Sequence, residues 1–341
     1  MTVVSASAPV RVCDIGGWTD TWFAGHGAVL HLAATPRAWA EVVSRPGDGE
    51  VLLHVRDYDE SYAVRPGRPL PGRHPLLEAC LDEVGVPPAA TLEVSVSCAA
   101  PAGSSVGTSA AVTVALLGAL THGRLPPREV ARLAHRIETE RLGLQSGVQD
   151  QLCAAFGGIN FVTVTDYPQA SVTPVSVSAR TRAALDDRLL LVYLGRHHVS
   201  STVHEAVIAE LAGEGPMSPR LQVLRDLAHT ARDQLTEGDL VGFGATMTAC
   251  TTAQAALHPE LVSAAARDAI AVARAHGALG WKVNGAGGEG GSLSVLCGPR
   301  TDRAALRRAL GQADPLFRVI PSALSRPGLQ VQSSSPLGSS R

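Results

Sequence analysis

The chain has 341 residues, of which 45% are hydrophobic and 18% charged, enough apolar content for two domains or one large one with a real core. A formal net charge of −2 gives no reason to expect a nucleic acid or an anionic membrane as partner. Six scattered cysteines without a CxxC pair, no basic-then-apolar leader in MTVVSASAPVR and no apolar run of bilayer length predict a reduced, soluble, cytoplasmic protein.

Short β-like runs dominate the first hundred residues: SAPVRVCDI, AVLHLAA, AWAEVVS, VLLHVRD and ATLEVSVSC, separated by Gly- and Pro-rich turns. After Ser109 the pattern turns helical. AAVTVALLGALTHG is apolar nearly all round, which predicts a helix buried on most sides. A second helix is expected from Leu125 to Leu142, with Pro126 and Pro127 at its start and Gly143 past its end. INFVTVT reads as a strand, and a looser polar stretch from Val172 to Asp187 precedes the strand RLLLVYLG. Four helical segments follow, then GALGWKVNG and SLSVLCG as strands flanking a glycine loop, and TDRAALRRALG as a last helix. The expected division is 1–185, 186–328 and a tail from Leu329 to 341 with too little to bury to be ordered. Strands and helices in two blocks predict an α+β protein.

Three stretches carry chemistry. In PAGSSVGTSAA (Pro101 to Ala111), small residues and four hydroxyls meet the start of a helix. Unpaired N–H groups and the macrodipole make such a place an anion cradle. The alternative is a plain N-cap, which needs only one hydroxyl. The lysine of a P-loop is absent; Lys282, the only lysine in the chain, lies far along the sequence.

The second stretch, ETERLGLQSGVQDQLCAAFGG, sets Asp150 between a helix and a strand, with Glu138 and Glu140 upstream. These carboxylates suit a proton acceptor and a Mg²⁺ ligand, or else a helix cap and a solvated helix face. The third, KVNGAGGEGGS (Lys282 to Ser292), matches GxGxxG literally, yet a strand follows it instead of a helix, which excludes a dinucleotide fingerprint. Five glycines within seven residues point to close approach of backbone to a ligand or another loop.

Together these stretches resemble the three motifs of the GHMP kinases, small-molecule kinases that include galactokinase, mevalonate kinase and homoserine kinase. APVRVCDIGGWTD resembles motif one, PAGSSVGTSAA motif two and KVNGAGGEGG motif three. GVQDQ, LLLVYLG and GALGWKVNGAGG resemble the heptose 7-phosphate kinase branch, and GGWTDT resembles L-fucokinase. The resemblance implies a ribosomal-S5-like N-terminal domain, a ferredoxin-like C-terminal domain, ATP and Mg²⁺, and phosphoryl transfer to an alcohol group. It implies nucleotide contacts from Pro101, Gly103, Ser104, Ser105, Val106, Gly107, Thr108 and Ser109, closed over by Gly285, Ala286, Gly287 and Gly288. Ser109 and Glu138 would hold Mg²⁺, with Glu140 as the alternative. Asp150 would take or orient the proton of an anomeric hydroxyl, with Arg11 beside it. Gly17, Trp18, Thr19, Asp20 and Gly147 would join Asp150 around the sugar.

The implied acceptor is first a higher sugar phosphate of heptose or octose type, second a free sugar such as L-fucose or a uronic acid. A non-sugar GHMP kinase and a non-catalytic sugar binder stand behind them. The assembly expected is a monomer or homodimer. A sugar phosphate needs a basic handle, for which Arg73-His74 and Arg196-His197-His198 are candidates unless they are solvated surface. Trp18 and Trp22 either stack on the sugar or pack in the core. Ser105 and Thr108 depart from the family pattern, and Glu289 interrupts the last glycine run of motif three; a carboxylate near phosphates would repel them, so it is expected to point away or to face the sugar.

Overall fold

The computed structural model describes residues 1–67, 72–195 and 201–334. Two long strands, β1 (Thr2–Ile15) and β2 (Gly27–Pro46), pair antiparallel over most of their length and form the spine of the first sheet. The second half of β2 carries β5 (Ala90–Cys98), its first half β6 (Ile159–Asp166). Beyond β5 lie β3 (Val51–Val55), parallel to it, and β4 (Glu60–Val64); β7 (Gln169–Pro174) extends β6. AVLHLAA and AWAEVVS, expected as separate strands, are therefore one. The register passes from Pro9↔Arg37 to Val10↔Ala34, so Thr35 and Pro36 form a bulge. Proline has no N–H to give a ladder, and a bulge is where none is required.

Helix α1 (Pro75–Val84) occupies a region expected to be strand and turn. Behind the sheet, α2 (Thr108–Leu120) packs on β1 and β2 and is buried along nearly its whole length, as its unbroken apolar sequence requires. The helix expected from Leu125 to Leu142 ends its α-helical part early: α3 (Pro127–Arg136) passes into a π-type turn over Ile137–Arg141. The short α4 (Gln149–Phe156) then leads into β6.

After α5 (Ala179–Arg188) a second, antiparallel sheet begins with β8 (Leu189–Tyr193). Two helices, α6 (Ser201–Glu214) and α7 (Pro219–Glu237), precede α8 (Leu240–Leu257) and α9 (Ala264–Ala275). Then come β9 (Ala278–Val283), β10 (Ser292–Cys297), α10 (Arg303–Ala313) and β11 (Arg318–Ile320), giving the order β11-β8-β10-β9. α7 lies on β2 and α8 on β9, so this helix pair joins the two sheets. The α+β class holds. All six cysteines are free and buried, and among the described residues no helix is long and apolar enough to cross a membrane.

The tail corrects the sequence reading. Gln330–Ser334 form β12, antiparallel to residues 3–7 of β1, and Leu329 packs on α2. A Cβ at Gly118 would come within 2.7 Å of Leu329 Cδ1. Without β12 that edge of β1 would present unpaired backbone groups. Ending the chain after Gly328 removes these bonds and the Leu329 contact, a loss of about 2 kcal/mol. The melting temperature should fall by about 2–4 °C, and an unchanged melt would show that β12 contributes nothing.

Candidate active site

The site grows from the end of β1. At Cys13 (φ 56°) the strand leaves its ladder, and the freed N–H donates to Asn284 Oδ1 at 2.9 Å. This bend sets Arg11 and Asp14 inward, both almost wholly buried. Arg11 Nε donates to Asp150 Oδ1 at 2.7 Å, and Nη1 lies 2.8 Å from Asp14 Oδ1 at an angle poor for a hydrogen bond. Asp14 in turn accepts the N–H of Gly285 at 3.0 Å and lies 3.8 Å from Lys282 Nζ. Lys282 donates to Gln254 Oε1 at 2.8 Å and to the Val283 carbonyl. Burial works against the Arg11 charge, but Asp14 and Asp150 outweigh it and raise its pKa. Two cations and two carboxylates thus alternate in a water-poor setting, where removing any one would strand another.

The hydroxyl-rich stretch wraps around this cluster. Arg11 N–H donates to the Val106 carbonyl at 2.8 Å. Gly107 is the N-cap of α2 in a left-handed conformation (φ 69°), and no side chain caps the helix. The plain-cap alternative therefore does not describe this helix start. Ser104 Oγ and Thr108 Oγ1 are buried with no hydrogen-bond partner among the described residues, while Ser109 is exposed. Gly107 is also required by space: a Cβ there would sit 3.0 Å from Asp150 Cγ.

The glycine loop between β9 and β10 backs this stretch. Ser292 Oγ donates to the Ser104 carbonyl at 2.6 Å, and a Cβ at Gly285 would lie 2.8 Å from the Ser105 carbonyl. Gly287 and Gly288 instead pack on residue 261, where the Gly288 N–H donates to the Leu261 carbonyl at 3.0 Å. Of the expected loop residues, Gly285 and Ala286 reach the adjacent cavity. Glu289 is exposed and does not line it.

That cavity, of about 260 Å³, brings together Arg11, Trp18, Asp20, Gly147, Asp150 and Gly285. Asp20 accepts from Gln149 through its backbone N–H at 3.0 Å and its Nε2 at 3.3 Å. Burial pushes the Asp20 carboxyl up to about 6, against the pull of the Gln149 N–H. Gly147 is obligatory, since a Cβ would meet Asp20 Oδ2 at 2.2 Å. Trp18, Trp22 and Phe23 form an aromatic wall, with Trp22 Nε1 held by Gln145 Oε1 at 3.0 Å.

Two expected residues stand elsewhere. Thr19 is fully buried and its hydroxyl donates to the Gly16 carbonyl at 2.8 Å, so it shapes the loop; Gly17 lies against Asp14, outside the lining. Asp14, Gln149, Phe23 and His204 belong to the lining and were missed. For Asp14 the signal was available, since it sits three residues after Arg11 in the same motif.

Glu138 is buried; its Oε2 accepts from Gln151 Nε2 at 2.8 Å, its Oε1 has no partner among the described residues, and burial raises it to about 7. Glu140 is exposed and pairs with Arg136 at 4.0 Å. A second cavity of about 250 Å³ opens on the far side of the α2 start, lined by Tyr58, His74, Leu76, Val96, Thr108 and Ser109. Arg73-His74 thus border this cavity and not the one holding Asp150. Arg196-His197-His198 lie outside the described residues.

Residues 74–158 match the family model "GHMP kinases N terminal domain". The D-glycero-alpha-D-manno-heptose 7-phosphate kinase of Campylobacter jejuni is 28% identical over 37% of this chain, and the bifunctional fucokinase/GDP-fucose pyrophosphorylase of Arabidopsis thaliana 25% identical over 84%. The chain spans only 38% and 29% of the lengths of those two proteins. The mevalonate kinase of Thermococcus sibiricus is 29% identical over 70% of this chain and 68% of its own. Among solved structures, a D-glycero-D-manno-heptose 1-phosphate kinase from Bacteriodes thetaiotaomicron superposes with a TM-score of 0.74 at 21% identity, covering 96% of this chain and 98% of the other. The fold is therefore that of the GHMP kinases.

The raised Asp20 pKa has a consequence for stability. Between the ordinary carboxyl value near 4 and about 6, the folded state binds the proton and the unfolded state does not, so stability is lost as pH rises through this window. A shift of two units corresponds to about 3 kcal/mol. Chemical denaturation at several pH values should show Asp20→Asn gaining on the wild type by that order between pH 4 and 6. Parallel stability curves for the two proteins would refute the assignment.

Proposed function

We propose that this chain, which carries a GHMP kinase N-terminal domain, is an ATP-dependent kinase that phosphorylates the anomeric hydroxyl of a sugar. One observation carries the reading: the hydroxyl-rich loop and the head of α2 lie between two cavities, with the Arg11–Asp150 pair in one of them. The cavity behind Thr108 and Ser109 has an apolar, aromatic lining suited to a nucleobase. From there a triphosphate would cross the start of α2, whose N–H groups no side chain caps, toward Asp150. The unpartnered Thr108 hydroxyl, beside the cavity that Thr108 lines, fits a phosphate oxygen.

Glu138, buried with a free oxygen and a raised pKa, fits a cation; with Ser109 it would hold Mg²⁺, which supplies charge neutralisation to the phosphates. Glu140, exposed and paired with Arg136, is the poorer candidate. Asp150 lines the sugar cavity, and Arg11 holds one of its oxygens. The ion pair fixes the orientation of the carboxylate, so that an oxygen is set to accept a hydroxyl proton. An anomeric hydroxyl is more acidic than an ordinary alcohol, so this modest assistance suffices.

The lining supports a free sugar over a sugar phosphate as acceptor. Among the described residues, Asp14, Asp20 and Asp150 face one arginine, Arg11, that two of them already bind, and the opposite wall is aromatic. Carboxylates bind sugar hydroxyls and aromatic rings cover the apolar face of a pyranose.

An ADP-release assay with L-fucose set against heptose 7-phosphate tests the acceptor, with turnover of the free sugar expected. Turnover of heptose 7-phosphate alone would reverse that choice, and tight sugar binding without turnover would refute kinase activity. Asp150→Asn should lower kcat by at least about a hundredfold while ATP affinity, read by calorimetry, stays within about twofold. Near-normal kcat would remove Asp150 from the mechanism.

A further inference from the structure

A groove of about 230 Å³ lies behind the catalytic helix, between α3 and the turn joining β6 to β7. Arg128, Arg132 and Arg136 recur every four residues along one face of α3 and all line it. Glu140 is the one carboxylate in the lining. Arg136 is shared between Glu83 at 2.9 Å and Glu140 at 4.0 Å, and Arg132 reaches Glu129 at 3.4 Å. Arg128 has no ion pair or hydrogen bond among the described residues. Exposed pairs of this kind contribute little and exchange partners readily. The floor is apolar, with Ala131, Val148, Leu152 and Pro168. Such a groove offers guanidinium forks to a phosphate and an apolar bed to the carbon skeleton attached to it.

The groove also touches the residues that set the substrate cavity. Val148 and Leu152 flank Asp150 on either side, so the two faces of this short segment look into two different cavities. His135, at the groove wall, lies 2.8 Å from the Tyr167 hydroxyl through Nε2, and that hydroxyl lies 2.8 Å from the Ser146 carbonyl. The tyrosine proton goes to the carbonyl, so the histidine must be the donor, with its proton on Nε2. The Tyr167 N–H donates to the Gly25 carbonyl at 2.7 Å. Tyr167 therefore ties the groove to the two loops that carry Ser146 and Trp22-Phe23, all three of which line the sugar cavity.

We propose that this groove is a regulatory site for a small phosphorylated metabolite, whose phosphate is held by Arg128 and Arg132. Occupancy is transmitted through α4 and the His135–Tyr167–Ser146 chain to the substrate cavity. Binding stands independently of the kinase reading; an effect on turnover rests on it.

Inorganic phosphate and glycerol 3-phosphate are the probes, titrated calorimetrically into the wild type and into Arg128→Glu/Arg132→Glu, whose changes are both on exposed side chains. Binding at least tenfold weaker in the double variant is expected, which cancels any shared contribution from the nucleotide loop. No binding to the wild type, or equal binding to both proteins, overturns the site. Hydrogen exchange then reads the coupling without reference to activity. Glycerol 3-phosphate should slow exchange across residues 146–156 in the wild type, and Tyr167→Phe should bind the probe yet lose that protection. Protection unchanged in Tyr167→Phe overturns the transmission route, and a bound probe with no change in exchange overturns the regulatory role.

Discussion

The buried guanidinium of Arg11 is the constraint on which the rest of this structure depends. It is held from one side by Asp14, three residues along the same strand, and from the other by Asp150 on a helix far away in sequence. A charge this deep is tolerated only with its partners in place, because desolvation of an unpaired ion costs several kcal/mol. Asp14 must then be satisfied in turn, and the Gly285 N–H and Lys282 do so from the second sheet. One electrostatic requirement thus joins β1, α4 and the β9–β10 loop. Burial, with help from the Arg11 charge, keeps nearby His31 neutral, its pKa lowered to about 3, so His31 does not compete with Arg11 for Asp150.

Under the proposed kinase reading, this arrangement shows how a chain with a single lysine would face a polyanion. The lysine is spent on Asp14, behind the cavity. On that reading the phosphates would meet backbone instead: the uncapped start of α2 and the N–H groups around Gly107. Backbone donors do not swing away, and the glycine loop braces them through the Ser292–Ser104 bond and the contact of Gly285 with Ser105. The departures at Ser105 and Thr108 fit this picture. Ser105 takes a left-handed conformation (φ 55°) that a glycine would adopt more easily, and Thr108 retains a buried hydroxyl.

Much of the secondary structure was legible because it rests on local causes. The apolar run after Ser109, the prolines at the start of α3 and the alternation in ATLEVSVSC each name their element without help from elsewhere. The misreadings share one cause, which is tertiary. Gln330–Ser334 have little to bury and become a strand only because β1 offers a free edge. Pro36 ends a strand in isolation, yet here it sits inside a bulge of β2 because β1 continues beneath it. The π-type turn at Ile137–Arg141 carries Glu138 in its second position, and no propensity rule anticipates its wider winding.

By itself, the sequence determined the kinds of groups that meet at the site: a hydroxyl-rich helix start, a carboxylate after GVQ, an arginine on the first strand and a glycine loop between two strands. Residue type and spacing are local, and local chemistry is enough to identify them. Only the tertiary structure decided which of these groups act on one another. Arg11 and Asp150 are 139 residues apart and meet at 2.7 Å, while Thr19, inside the most suggestive motif, turns its hydroxyl into its own loop. It also decided that Arg73-His74 border the other cavity and that Glu138, rather than Glu140, is buried with an oxygen to spare. Contact, burial and the fields they create depend on distance in space, and separation along the chain carries almost no information about that.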